Sequence, residues 1–175
     1  MDKQIDVAVI MGSDSDLPTV SESLKLFDKF GIKYSVNIAS AHRTSEFVKQ
    51  CVDNAVANGA KVFVAVAGMS AALPGVVASE TILPVIGVPM EGKALAGMDA
   101  LFSIAQMPPS IPVACVSIGK AGAVNAAILS MEILAVNDKN IADKLFEYRK
   151  KMKEKILQKD EKLNKIGYEQ YLAEK

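Results

Sequence analysis

The sequence predicts a doubly wound α/β domain, a parallel sheet with helices on both faces. Three observations carry that expectation. Short apolar runs rich in β-branched residues recur at Val7–Met11, Tyr34–Ile38, Val62–Val66, Val85–Val88 and Val113–Ser117. They do not alternate cleanly between apolar and polar, which is how strands buried on both faces read. Helical patterns lie between them, and strands alternating with helices form such a sheet through right-handed crossovers.

Taken in order, the first run follows a terminus with no basic region, long apolar stretch or small-residue cleavage site, so no export leader and a cytoplasmic location are expected. A helix over Leu17–Phe30 comes next, with Gly31 where a C-cap belongs. After the second run, a helix over Ser45–Asn58 ends before Gly59 in the same way. The uncharged stretch Val62–Ser79 is long enough to span a membrane, but Gly68, Pro74 and Gly75 divide it into strand, turn and a helix over Leu73–Ser79. It is expected to be core, not a membrane span.

Two further helices are predicted at Met98–Met107 and Gly122–Asn137. The second is apolar nearly all round and must be buried on more than one side, by a neighbouring subunit or as a central helix of the chain itself. The tail is different. Residues 140–175 are rich in Lys and Glu, with Ile141, Leu145, Tyr148, Met152 and Ile156 roughly on one face. The expected organisation is a domain over 1–139 and a helical extension over 140–175, packed on the domain or on a neighbouring subunit.

Composition excludes several functions. The chain has 175 residues, half of them hydrophobic, enough for one globular domain with a real core. Lys and Arg number 20 and Asp and Glu 20, so the basic excess of a nucleic-acid footprint is missing. Cys51 and Cys115 sit in apolar runs without paired spacing and read as buried free thiols of a reducing compartment. No metal site is expected, because nothing else gathers around the single histidine with ligand spacing.

In an open α/β sheet the ligand lies beyond the carboxyl ends of the strands. The five loops there read "GSDSD" (12–16), "ASAHRT" (39–44), "AGMSAALPG" (67–75), "PMEGKALAG" (89–97) and "IGKAG" (118–122), all crowded with small residues. In the first, Gly12 permits a tight turn, and four polar groups, Ser13, Asp14, Ser15 and Asp16, lead into a helix. One of them is accounted for by capping. Carboxylates repel a phosphate, so Asp16 suits sugar hydroxyls, and the phosphate needs a cation.

Arg43 supplies that cation, a planar fork able to hold a phosphate bidentately with Ser13 and Ser40 donating beside it. The competing reading is a surface ion pair of Arg43 with Glu46 or Asp16. His42 lies next to this clamp, where a group titrating near neutral pH could move a proton on the substrate. A lone histidine is more often structural, but this one sits in a predicted ligand loop. Lys120, after the fifth strand, resembles the lysine of a receiver module, or else bonds loop carbonyls.

The stretches "VIMGSDSD", "SAHRT", "ALPG", "PVIGVP", "KALAGMDALFSIAQMP" and "IGKAGAVNAAILS" run in order from about Val7 to Asn137. Together they resemble the catalytic subunit of the phosphoribosylaminoimidazole carboxylase family of purine biosynthesis. The resemblance implies a flavodoxin-like three-layer domain with a five-stranded parallel sheet, assembled as a homo-octamer and working without cofactor or metal on a small ribonucleotide and carbon dioxide. It also implies that Ser13, Asp16 and Arg43 bind substrate and that His42 transfers a proton. Gly12, Ser15, Ser40, Ala41, Gly68 and Ser70 complete the expected substrate site, with carbon dioxide caged near Gly68, Ser70 and Ala71.

Members of the branch that rearranges N5-carboxyaminoimidazole ribonucleotide carry a second histidine where this chain has Ala72, and small apolar residues where it has Met69 and Ser70. Ser45 replaces a common Pro at a helix start, a less rigid first position. The resemblance therefore points to direct carboxylation of 5-aminoimidazole ribonucleotide at C4, a lyase-type reaction, with the mutase as the alternative. A non-enzymatic flavodoxin-like or receiver module is the rival from another class, since the fold hosts all three.

Overall fold

The computed structural model describes residues 4–174; the outermost ends of the expected bounds, residues 1–3 and Lys175, lie outside them. Strands β1 (Val7–Met11), β2 (Tyr34–Ile38), β3 (Val62–Ala67), β4 (Val85–Pro89) and β5 (Ala114–Cys115) form one parallel sheet in the order β2-β1-β3-β4-β5. This is the flavodoxin-like order, with the winding reversing between β1 and β3. Val7 stands opposite both Tyr34 and Val62, so the carboxyl ends of the three strands finish level.

Every residue of β1, β3 and β4 is buried. β2 and β5 depart from the expectation of burial on both faces: they are the edge strands, and β2 is only half covered. β5 shrinks from five expected residues to two, because one neighbour supplies all its pairing, Ile86 to Ala114 and Gly87 to Cys115. Cys115 on that edge is consequently half-buried rather than buried, whereas Cys51 is buried as expected.

The helices α1 (Leu17–Phe30), α2 (Ser45–Ala57), α3 (Leu73–Ser79), α4 (Met98–Ala105) and α5 (Gly119–Ala135) alternate with the strands. Side chains alternate across the sheet. Ala8, Ile10, Phe63 and Ala65 form one core with Val48 and Val52 of α2, Val77 of α3 and Ile104 of α4. On α1, Val20 and Phe27 are fully buried, and the buried Ser23 hydroxyl donates to Ala123 O of α5 at 2.6 Å. Gly31 closes α1 at φ 74°, the left-handed geometry a C-cap favours. Gly59 follows the C-cap Asn58 at φ 87°.

α5 begins three residues earlier than expected and α4 ends two residues sooner. Gly122 explains why sequence reading misplaced the first: it lies inside α5, where its missing side chain lets the helix pass against Ser117 O. The stretch Val62–Ser79 is β3, a loop and α3, and among the described residues no helix is long and apolar enough to cross a membrane.

The chain divides into two compact units between Leu134 and Ala135. The second is built on α6 (Lys139–Ala173), capped by Asp138 Oδ1, which accepts from the N–H groups of Asn140 and Ile141. Gly167, at φ 76° and ψ 162°, breaks the helical path. Ile141 and Leu145 are buried, whereas Met152 and Ile156 of the same face are exposed.

Candidate functional site

The loops that follow β1 to β4 enclose one cleft of about 880 Å³ at the carboxyl ends of the strands. All ten expected site residues line it: Gly12, Ser13, Ser15 and Asp16 from the first loop, Ser40, Ala41, His42 and Arg43 from the second, Gly68 and Ser70 from the third. The fifth loop does not take part. Lys120 there does not line the cleft; it pairs with Glu22 at 3.6 Å, and no bond to a loop carbonyl is found for it among the described residues.

In the first loop the residue accounted for by capping is Ser13. Its Oγ accepts from Ser15 N–H at 3.3 Å and from the Ser15 hydroxyl at 2.8 Å, at the head of a short 3-10 turn, Asp14–Asp16. Asp16 precedes α1 without capping it. Half-buried in the loop, its carboxyl is pushed above the ordinary aspartate value by burial, with the Ser13 N–H and Ser15 hydroxyl opposing and Asp14 adding to the rise.

Arg43 makes neither of the ion pairs considered for it. Its Nη2 donates to Gly12 O at 3.2 Å and its Nε approaches Ser40 Oγ at 3.4 Å, so the guanidinium ties the second loop to the first. Ser40 N–H in turn donates to Thr44 Oγ1 at 2.9 Å, which braces the turn before α2. The His42 side chain is exposed and has no hydrogen-bond or ionic partner among the described residues. A ligand would find one fixed cation, three hydroxyls and an imidazole open to solvent on a single rim.

The third and fourth loops bring residues that sequence reasoning left unassigned. Met69, exposed and at φ 57°, holds a left-handed conformation that is costly for a side chain of its size. Behind it, Gly68 packs closely on the fourth loop: an added Cβ would lie 3.3 Å from Met90 Cβ, a tight contact. From the fourth loop come Glu91, Lys93 and, at the start of α4, Asp99. Asp99 Oδ1 is the only buried side-chain polar atom without a hydrogen-bond partner among the described residues. The signal for Lys93 was present, since it is the sole cation of a loop already singled out; Asp99 read as an ordinary acidic residue of a first helical turn.

Among the described residues no Trp, Tyr or Phe lines the cleft to stack a flavin, and no three His, Cys, Asp or Glu side chains gather into a metal-holding set. β3 ends in Ala67, where a receiver module needs a carboxylate.

Comparison with known proteins identifies the family and several relatives of the chain. A family model described as AIR carboxylase matches residues 6–155. The chain is 51% identical over 160 residues to the N5-carboxyaminoimidazole ribonucleotide mutase of Methanocaldococcus jannaschii, covering 91% of this chain and 98% of that protein. It is 46% identical over 169 residues to the phosphoribosylaminoimidazole carboxylase of Candida glabrata, covering 97% of this chain but 29% of that longer protein. The crystal structure of Treponema denticola PurE superposes with a TM-score of 0.81 at 33% identity, over 90% of this chain and 97% of that one.

Proposed function

The chain belongs to the AIR carboxylase family, and from that premise we propose that it is a cytoplasmic enzyme of purine biosynthesis that converts N5-carboxyaminoimidazole ribonucleotide to 4-carboxy-5-aminoimidazole ribonucleotide. The observation that carries this reading is the match, nearly end to end in both directions, with a protein of that name. The cleft is consistent with it. Arg43 with Ser13 and Ser40 holds the phosphate, and Asp16 accepts from the ribose hydroxyls.

The carbamate N–C bond breaks to release carbon dioxide, which stays trapped beside the ring near Gly68, Ser70 and Ala71. C4 then attacks it, and the electrons of the new C–C bond come from the ring. His42 takes the proton that C4 gives up and supplies the one the nitrogen gains. Donor and acceptor of that proton are thus one group, so a single imidazole suffices and no cofactor enters the balance. Holding carbon dioxide against C4 removes a bimolecular encounter, which is worth roughly 7–11 kcal/mol of barrier in favourable cases. The reading implies a homo-octamer.

A second reading is direct carboxylation of 5-aminoimidazole ribonucleotide by carbon dioxide, favoured by Ala72, which stands where the resemblance implies a histidine in the mutase branch. Purified protein given N5-carboxyaminoimidazole ribonucleotide while free carbon dioxide is scavenged should form product. Product arising only from 5-aminoimidazole ribonucleotide with bicarbonate would replace the first reading by the second.

A further inference from the structure

Lys93 is the second cation of the cleft. It lies on the loop between β4 and α4, is exposed, and forms no ion pair among the described residues although Glu91 and Asp99 line the same cleft. Its loop is rooted at both ends. Met90 N–H donates to Ala67 O at 2.9 Å at the start. At the far end Ala96 and Gly97 turn through the left-handed region at φ 50° and 86°, and an added Cβ on Gly97 would come within 2.7 Å of Ile118 Cγ2 and 2.9 Å of Met90 O. Only glycine fits there, so the turn that presents Lys93 is held in place.

Placement along the sheet separates the two cations. Arg43 belongs to the β2 end, Lys93 to the β4 end, and β1 and β3 lie between. Three strand spacings put their loops on the order of 14 Å apart. The lining carboxyls Asp16, Glu91 and Asp99 outnumber Arg43 and Lys93. An anionic group brought into such a cleft is repelled unless a cation touches it directly. A phosphate held at Arg43 leaves Lys93 for a second anionic group at the other end of the ligand.

We propose that Lys93 binds the carboxyl group of the carboxylated ribonucleotide and thereby selects it over the uncarboxylated one. This rests on the functional reading above and adds to it the residue that recognises the transferred group.

Calorimetric titration tests it with 4-carboxy-5-aminoimidazole ribonucleotide and 5-aminoimidazole ribonucleotide as the two probes. Lys93→Met should weaken the carboxylated probe about tenfold and leave the uncarboxylated one within about twofold, the loss expected for one charge-assisted contact. Lys93→Arg should restore most of the difference. Equal losses for both probes would mean that Lys93 only offsets Glu91 and Asp99, and would overturn the proposal, as would no loss for either. Wild-type protein binding neither probe would instead overturn the functional reading, and this inference with it.

Discussion

Asp16, proposed above to hold the ribose, also bears on stability through its burial. Because burial raises its carboxyl above the ordinary value, the folded state binds that proton more tightly than the unfolded chain does. The associated stability is present below the unfolded pKa and is lost as pH rises through the folded one. Asp16→Asn should therefore raise the melting temperature of the ligand-free protein at neutral pH, with the gain vanishing in acid, while weakening ribonucleotide binding. A melting temperature unchanged at neutral pH would show that the burial is not costly. His42 and Arg43 separate in kinetics. His42→Asn should lower kcat by about 10²–10⁴-fold with little change in substrate affinity, whereas Arg43→Leu should raise KM roughly tenfold or more. Activity within a few fold of wild type for His42→Asn would remove the imidazole from the reaction. At this scale the sequence was informative because chemistry-bearing residues are rare in it: one histidine and a scarcity of arginine drew attention to "SAHRT". Lys93 escaped attention because lysine is common, and Asp99 because an acid at a helix start needs no ligand to explain it.

The elements test how tightly the loops are held. Gly122 packs where a side chain would run into Ser117 O, a backbone atom that cannot swing aside. Gly122→Ala should cost about 1–3 kcal/mol in urea denaturation, the usual penalty of overpacking. Gly31→Ala, which forces a side chain into the left-handed cap of α1, should cost about 1 kcal/mol. A stability loss for Gly122→Ala no greater than that for Gly31→Ala would mean that α5 can shift away from the sheet. α1 and α3 match their expected bounds because proline near the start of each, Ser13 and Asp16 before α1 and Gly31 after it punctuate the chain. The ends of α4 and α5 were harder to place, since glycine inside α5 serves packing while glycine elsewhere serves turns. β5 was overestimated for a related reason: an apolar run shows strand preference, but how many of its residues pair depends on the neighbour across the edge.

For the whole molecule, α5 is the telling surface. Its buried side carries Ala123, Ala126, Ala127 and Met131, yet Val124, Ile128, Leu129 and Ile133 on the opposite side are only half covered. Such a face supports assembly without fixing the number of subunits; on the octamer that the proposed function implies, light scattering should give a particle of eight times the 18.7 kDa chain mass, and a monomer in solution would sink that reading. Local preference and residue type, which depend on neighbours in sequence, were enough to determine the parallel sheet, the kind and order of its elements and the presence of Ser13, Asp16, Ser40, His42 and Arg43 in the cleft, whereas Ala41, Gly68 and Ser70 entered through the family resemblance. Only the tertiary structure decided that four loops converge while the fifth stands apart, that β2 and β5 are edges, and that Lys93 and Asp99 face the same space as His42. Those facts follow from strand order, and strand order is set by contacts between segments far apart in the chain, which no local pattern records.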